Sequence, residues 1–173
     1  MALEIEKLLD ETGWLLLQAL QQHARLSYSE LGQSVGLSAP AVADRLHRME
    51  EAGIITGYRA EVNMSKLGLP VTAIIRLGGV AGQSCNLVAQ RASEIPEVLE
   101  CYRVTGSDTV VTKVVATSVA HLERIIDQLS FYGLPTTSIV LSKPMQRRTI
   151  TRAIVERGET EEDVPSPHEA FRS

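Results

Sequence analysis

Few of the side chains able to do covalent chemistry stand near one another in this sequence. Cys85 and Cys101 have neither the close spacing nor the histidine neighbours of a metal site, so they read as small apolar packing residues. His23, His47, His121 and His168 are scattered, and His47 and His121 fall on or near polar helix faces, which reads as solvated histidine. No phosphate loop, dinucleotide fingerprint, nucleophile elbow or HExxH helix occurs. The reading is therefore not an enzyme, with no catalytic residue, no metal and no cofactor expected. What the chain carries is recognition chemistry: Ser38, Ala39, Pro40 and Ala41 open a helical segment, with Arg45 and Arg48 further along it. Small side chains let a helix end approach base edges, and arginine can bond guanine or phosphate.

The elements around those residues follow from periodicity and caps. Leu9, Leu16, Leu17 and Leu20, with Gly13 on the same face, predict a first helix over 4–22. Ser27-Tyr28-Ser29-Glu30 is a capping box, so a short second helix is expected over 28–34. Gly36 then supplies a terminus, and Ser38 caps a third helix running to about Ala52 with Val42, Leu46 and Met49 on its buried face. Two short helices joined by a glycine turn and preceded by a third make a helix-turn-helix. Residues 54–62 read as a short wing or a linking strand. In this arrangement Ser38, Pro40, Ala41, Arg45 and Arg48 face the major groove, Arg45 being the first candidate for a base contact, while Ser27, Tyr28 and Arg59 touch the backbone.

Charge does not by itself favour nucleic acid. The 173 residues carry a net charge of -4. Within 1–60, Lys7, Arg25, Arg45, Arg48 and Arg59 face eight acids, of which Glu4, Glu6, Asp10 and Glu11 cluster at the amino end. Phosphate neutralisation needs a basic surface, so the distribution of charge must do what the total does not.

Beyond the Gly/Pro-containing connector 64–70 the period changes from helical to alternating. Strands are expected over 71–77, 98–105, 110–116 and 136–142, with a helix capped by Ser84 and another carrying Val119, Leu122, Ile125, Ile126 and Leu129. The order βαββαβ is the ferredoxin-like unit. Its antiparallel sheet would have both helices on one face, so dimerisation through the other face or the edges is expected. The expected class is thus α+β, an N-terminal winged helix-turn-helix domain (1–63), a linker (64–70) and a C-terminal ferredoxin-like domain (71–145). The charged stretch 146–173 reads as a solvated tail that orders only in an assembly.

Gly36-Leu37-Ser38, Val42, Arg45-Leu46, Met49-Glu50, Gly53-Ile54-Ile55 and Tyr58, followed by Val104-Thr105-Gly106-Ser107-Asp108-Thr109-Val110-Val111 and Lys113, resemble the Lrp/AsnC, or feast/famine, family of transcription regulators over residues 5–145. The resemblance implies a sensing domain that binds a small molecule, an amino acid above all, at a glycine-acid loop here formed by Gly106, Ser107, Asp108 and Thr109. Thr136, Thr137 and Ser138 of a neighbouring subunit would complete that site. Amino-acid-binding members carry acids flanking an aromatic; here Ser107 and Thr109 stand at those places with Asp108 between them, so an ammonium would meet a single shifted carboxylate. A changed ligand, no ligand or an ordinary β-turn are the other readings of this loop. Gly13 stands where the family usually has a second acid, read here as a local weakening of helix capping. The implied protein is cytoplasmic, touches no membrane, and is a homodimer assembling to a tetramer or octamer on double-stranded DNA. Two other readings remain open: a metabolite-binding oligomeric module without DNA affinity, and an architectural DNA-binding protein.

Overall fold

Asp10 decides where the first helical segment breaks. The computed structural model, which describes residues 2–79, 84–145 and 147–157, has two helices where one was expected: α1 (Ala2–Leu8) and α2 (Glu11–Gln22). Asp10 is extended at the N-cap, and its carboxylate accepts the Gly13 amide at 2.8 Å. An aspartate is more stable capping a helix than passing through its interior, so the chain restarts there. A Cβ on Gly13 would collide with the Leu8 carbonyl oxygen and press on Met49. The missing side chain therefore seats the end of α1, and the capping expected to be weak at Gly13 is intact because its amide is the capped donor.

The next two helices match their signals. In α3 (Tyr28–Val35) the Glu30 amide donates to Ser27 Oγ at 3.3 Å and the Ser27 amide donates to Glu30 Oε2 at 2.8 Å. After Gly36 in the left-handed region, α4 (Ala39–Glu51) starts at Ser38, whose hydroxyl accepts the Ala41 amide. Leu8, Leu16, Leu20, Leu31, Val42, Leu46 and Met49 form the core of this unit, with Trp14 half-buried on α2. Residues 55–63 form no strand, so the expected wing is not built within one chain. A strand needs a hydrogen-bonded neighbour, and this one has none among the described residues. A single 3-10 turn, Met64–Leu67, follows.

Compact units divide the chain at Ala60/Glu61 and again at Pro144/Met145. Among the described residues, one holds 2–60 together with 145 and 147–157, and the other holds the segments of 61–144. Over its described part the charged stretch contains α7 (Arg152–Arg157), every residue of which is exposed, and it groups with the helices; residues 158–173 lie outside the described residues.

In the second unit β1 (Val71–Gly78), α5 (Cys85–Ser93), β2 (Val98–Arg103), β3 (Asp108–Ala116), α6 (Val119–Ser130) and β4 (Leu134–Ile139) follow in order. The strands lie β2-β3-β1-β4, every pair antiparallel. Ala73, Ile75, Leu77, Val110, Val114 and Ala116 alternate onto one face and pack with Val88, Ala92, Leu122, Ile125 and Leu129. Thr112 is fully buried there, and its hydroxyl donates to the Ile75 carbonyl at 3.2 Å, which satisfies it. Two expectations shift. Ser84 stands at the N-cap of α5 without a side-chain bond, and β4 begins at Leu134 because its register against Gly78 extends the pairing two residues earlier than Thr136. His121 is not solvated: it is 3.0 Å from Glu97 and accepts the Thr117 amide, tying the start of α6 to the residue before β2.

Candidate nucleic-acid interface and effector loop

Along α4 one side is committed to the core and the other is open. Val42, Leu46 and Met49 are buried, whereas Pro40, Ala41, Asp44, His47, Arg48 and Glu51 are exposed. Ser38, Pro40 and Ala41 keep the amino end of that open side small, and Arg48 is its exposed cation. The Arg45 guanidinium does not belong to it. It pairs with Asp10 and donates to the Lys7 and Leu8 carbonyls at 3.4 and 3.5 Å, leaving its side chain only 21% exposed. The structure thus places Arg45, expected at a base, as a latch between α4 and the end of α1. Partial desolvation pushes the Asp10 carboxyl up, but the Gly13 amide, the Arg45 guanidinium and the Thr12 amide outweigh it and hold it below the usual carboxylate range.

Ser27 and Tyr28 are exposed at the start of α3, beside a cavity of about 450 Å³ also lined by Leu31, Glu50 and Tyr58. Tyr58 Oη donates to Glu50 at 2.9 Å, and burial together with that carboxylate pushes its phenol up to about 12. Arg59 follows, exposed. Asp44 is exposed on the same side of α4, and an acid there can accept from cytosine N4.

On the sheet, the face not covered by α5 and α6 carries a different chemistry. Strand alternation and register put Ile74, Arg76, Glu100, Tyr102, Val111, Lys113, Thr136 and Ser138 on it. Glu100 accepts from Lys113 Nζ at 2.8 Å and from Tyr102 Oη at 2.6 Å, and those two bonds, Lys113 first, hold its carboxyl below the usual range. Gly106 lies in the turn between β2 and β3 at φ +113°, a conformation that side chains other than hydrogen rarely adopt, with Ser107 exposed beside it. Asp108 then opens β3 opposite Gly78, and the Arg76 guanidinium stands 3.8 Å from its carboxylate. Thr109 is turned inward, donating to the Leu77 carbonyl at 3.2 Å. Arg76 is also the register partner of Thr136, so Asp108, Arg76 and Thr136 gather at one end of the uncovered face. Thr137 pairs with Ile75 and so lies on the helix-covered side, apart from Thr136 and Ser138 by the two-residue period. Arg76 escaped the sequence reading, although a lone charge inside an otherwise alternating strand was the available signal.

Comparisons with known proteins agree with both halves. Residues 9–50 match the AsnC-type helix-turn-helix domain and residues 72–150 match the Lrp/AsnC ligand binding domain. The chain is 43% identical over 134 residues to YezC, an uncharacterized HTH-type transcriptional regulator of Bacillus subtilis, an alignment covering 78% of this chain and 94% of that one. The structure of Bacillus subtilis LrpC superposes with a TM-score of 0.74 at 30% identity, over 80% of this chain and 99% of that chain. The transcriptional regulator NMB0573 of Neisseria meningitidis, solved as a complex with L-Met, superposes at 0.78 and 27% identity over 85% and 99%. Among the described residues no helix is long and apolar enough to cross a membrane. The chain belongs to the Lrp/AsnC family of transcription regulators, which are not enzymes.

Proposed function

We propose that this regulator reads specific duplex sequences through the open side of α4 and answers to an amino acid at the turn between β2 and β3. The observation that carries the first half is the division of α4, with its core side filled by Val42, Leu46 and Met49 and its open side small at the amino end and carrying Arg48. In this reading Ser38, Pro40 and Ala41 approach base edges, Arg48 contacts a base or a phosphate, and Ser27, Tyr28 and Arg59 hold the backbone. Asp108 accepts the effector's ammonium and Arg76 its carboxylate, with Gly106, Ser107, Thr109, Thr136 and Ser138 around them. The L-Met complex of the Neisseria relative supports an amino acid as the ligand class.

The uncovered sheet face pairs with a second copy, and dimers assemble further to a tetramer or octamer in the cytosol. Tethering several recognition helices raises the effective concentration of each, which offsets the weak basicity of a single one. Effector binding shifts the balance between assemblies that it binds unequally. Titration of the full chain against the duplex upstream of its own gene and a scrambled duplex, at two salt concentrations and with each amino acid, tests the proposal. Tighter binding to the native duplex, changed by one amino acid, is expected. Arg48→Ala should cost about 1–3 kcal/mol of specific affinity if the arginine bonds a base. No DNA affinity at low salt would instead favour a metabolite-binding module, and equal affinity for both duplexes with strong bending an architectural protein.

A further inference from the structure

The residues of 147–157 return to the helices through one side chain. The Ile150 amide donates to Gln21 Oε1 at 2.9 Å, and Gln21 Nε2 donates to the Ile150 carbonyl at 3.0 Å, joining positions 129 apart in sequence. A side-chain amide that satisfies both backbone groups of one residue fixes that residue in place and orientation. Thr149 and Thr151 on either side are half-buried. What this clamp presents is charge: Arg147, Arg148, Arg152 and Arg157 against Glu156 alone. Arg152 is bonded to Glu156 at 2.6 Å, whereas Arg148 and Arg157 flank a shallow groove of about 420 Å³ that also shows Thr149 and Thr151.

The helical segment is itself acidic. Residues 1–60 carry Lys7, Arg25, Arg45, Arg48 and Arg59 against Glu4, Glu6, Asp10, Glu11, Glu30, Asp44, Glu50 and Glu51, and Arg45 is neutralised by Asp10. Residues 147–157 carry a net charge of +3 (four arginines less one glutamate), against -3 for 1–60 (five cations less eight acids) and -4 for 158–173 (five acids less one arginine), so 147–157 is the basic stretch among acidic ones. Most of this segment lies past residue 150, where the match to the ligand-binding domain ends.

We propose that residues 147–157 are a phosphate-binding arm of the DNA-binding unit, docked by Gln21, with Arg147, Arg148 and Arg157 as its contacts to the duplex backbone. The arm gives affinity without sequence preference, because phosphates are the same at every site. This rests on the DNA reading proposed above.

The test compares the full chain with its R147Q/R148Q/R157Q and R147K/R148K/R157K variants on the native and scrambled duplexes, across a salt series. Each phosphate contact contributes about 0.9 to the slope of log affinity against log salt. The glutamine variant should lose about two to three units of slope, and equally on both duplexes. For three contacts, the natural chain weakens about 40-fold more than this variant between about 50 and about 200 mM salt. The lysine variant should keep the slope. A glutamine variant with the natural slope, or one that loses affinity only for the native duplex, overturns the arm. If the natural chain binds neither duplex, the DNA reading itself fails, and the arm falls with it.

Discussion

Two arginine–aspartate pairs, one in each unit, show how differently the same chemistry can be used. Arg45 and Asp10 are surrounded by further bonds: Asp10 also accepts the Gly13 amide, and Arg45 also donates to two carbonyls at the end of α1. Arg76 and Asp108 stand 3.8 Å apart with side chains 45% and 35% exposed, beyond hydrogen-bond length. A pair supported by backbone groups is part of the framework, since removing one partner leaves the others unsatisfied. A loose, wetted pair contributes little to stability and can be exchanged for the two charged ends of a ligand.

The largest effect that could break this comparison is on stability. Arg45→Ala should destabilise the helical unit by about 1–2 kcal/mol, read by urea unfolding, because two carbonyls and a carboxylate, the latter 51% exposed, lose their donor. A cycle with Asp10→Ala should give a coupling of about 1 kcal/mol, and additive losses would mean the latch is no tighter than a surface pair. Arg76→Gln is expected to change stability by less than about 0.5 kcal/mol while abolishing the calorimetric signal of amino-acid binding; retained binding would take Arg76 out of the effector site. The smallest effect concerns acid. The folded carboxyl of Asp10 lies below its ordinary value of 3.8, so its stabilisation is present above that pH and is lost as the pH falls through the lower folded value. Asp10→Asn should therefore flatten the acid limb of the stability curve, and an unaltered limb would show that other carboxylates set it.

Much of this was legible. The capping box at Ser27, the Ser38 cap and the switch from a helical to a two-residue period each act through neighbours in sequence, and the order of elements along the chain followed from them. The role of Arg45 did not, although its angle was available. Stepping four positions along a helix turns about 40°, so Arg45 lies on the flank of the stripe that buries Met49, nearer the core than its charge suggested. Asp10 was hidden for the converse reason: apolar periodicity runs through it, and only the competition between capping and continuation shows the break. Arg76, Asp108 and Thr136 come together through pairing between distant strands, and the Gln21 clamp spans nearly the whole chain. No local pattern encodes such meetings.

Trp14 is the single tryptophan of the sequence and lies half-buried on α2, next to the glycine that seats α1. Its fluorescence is thus an intrinsic reporter placed in the helical unit. Emission recorded alongside a backbone signal can tell whether the two units melt together or in turn, and whether an amino acid added to one is felt by the other, with no label attached to either.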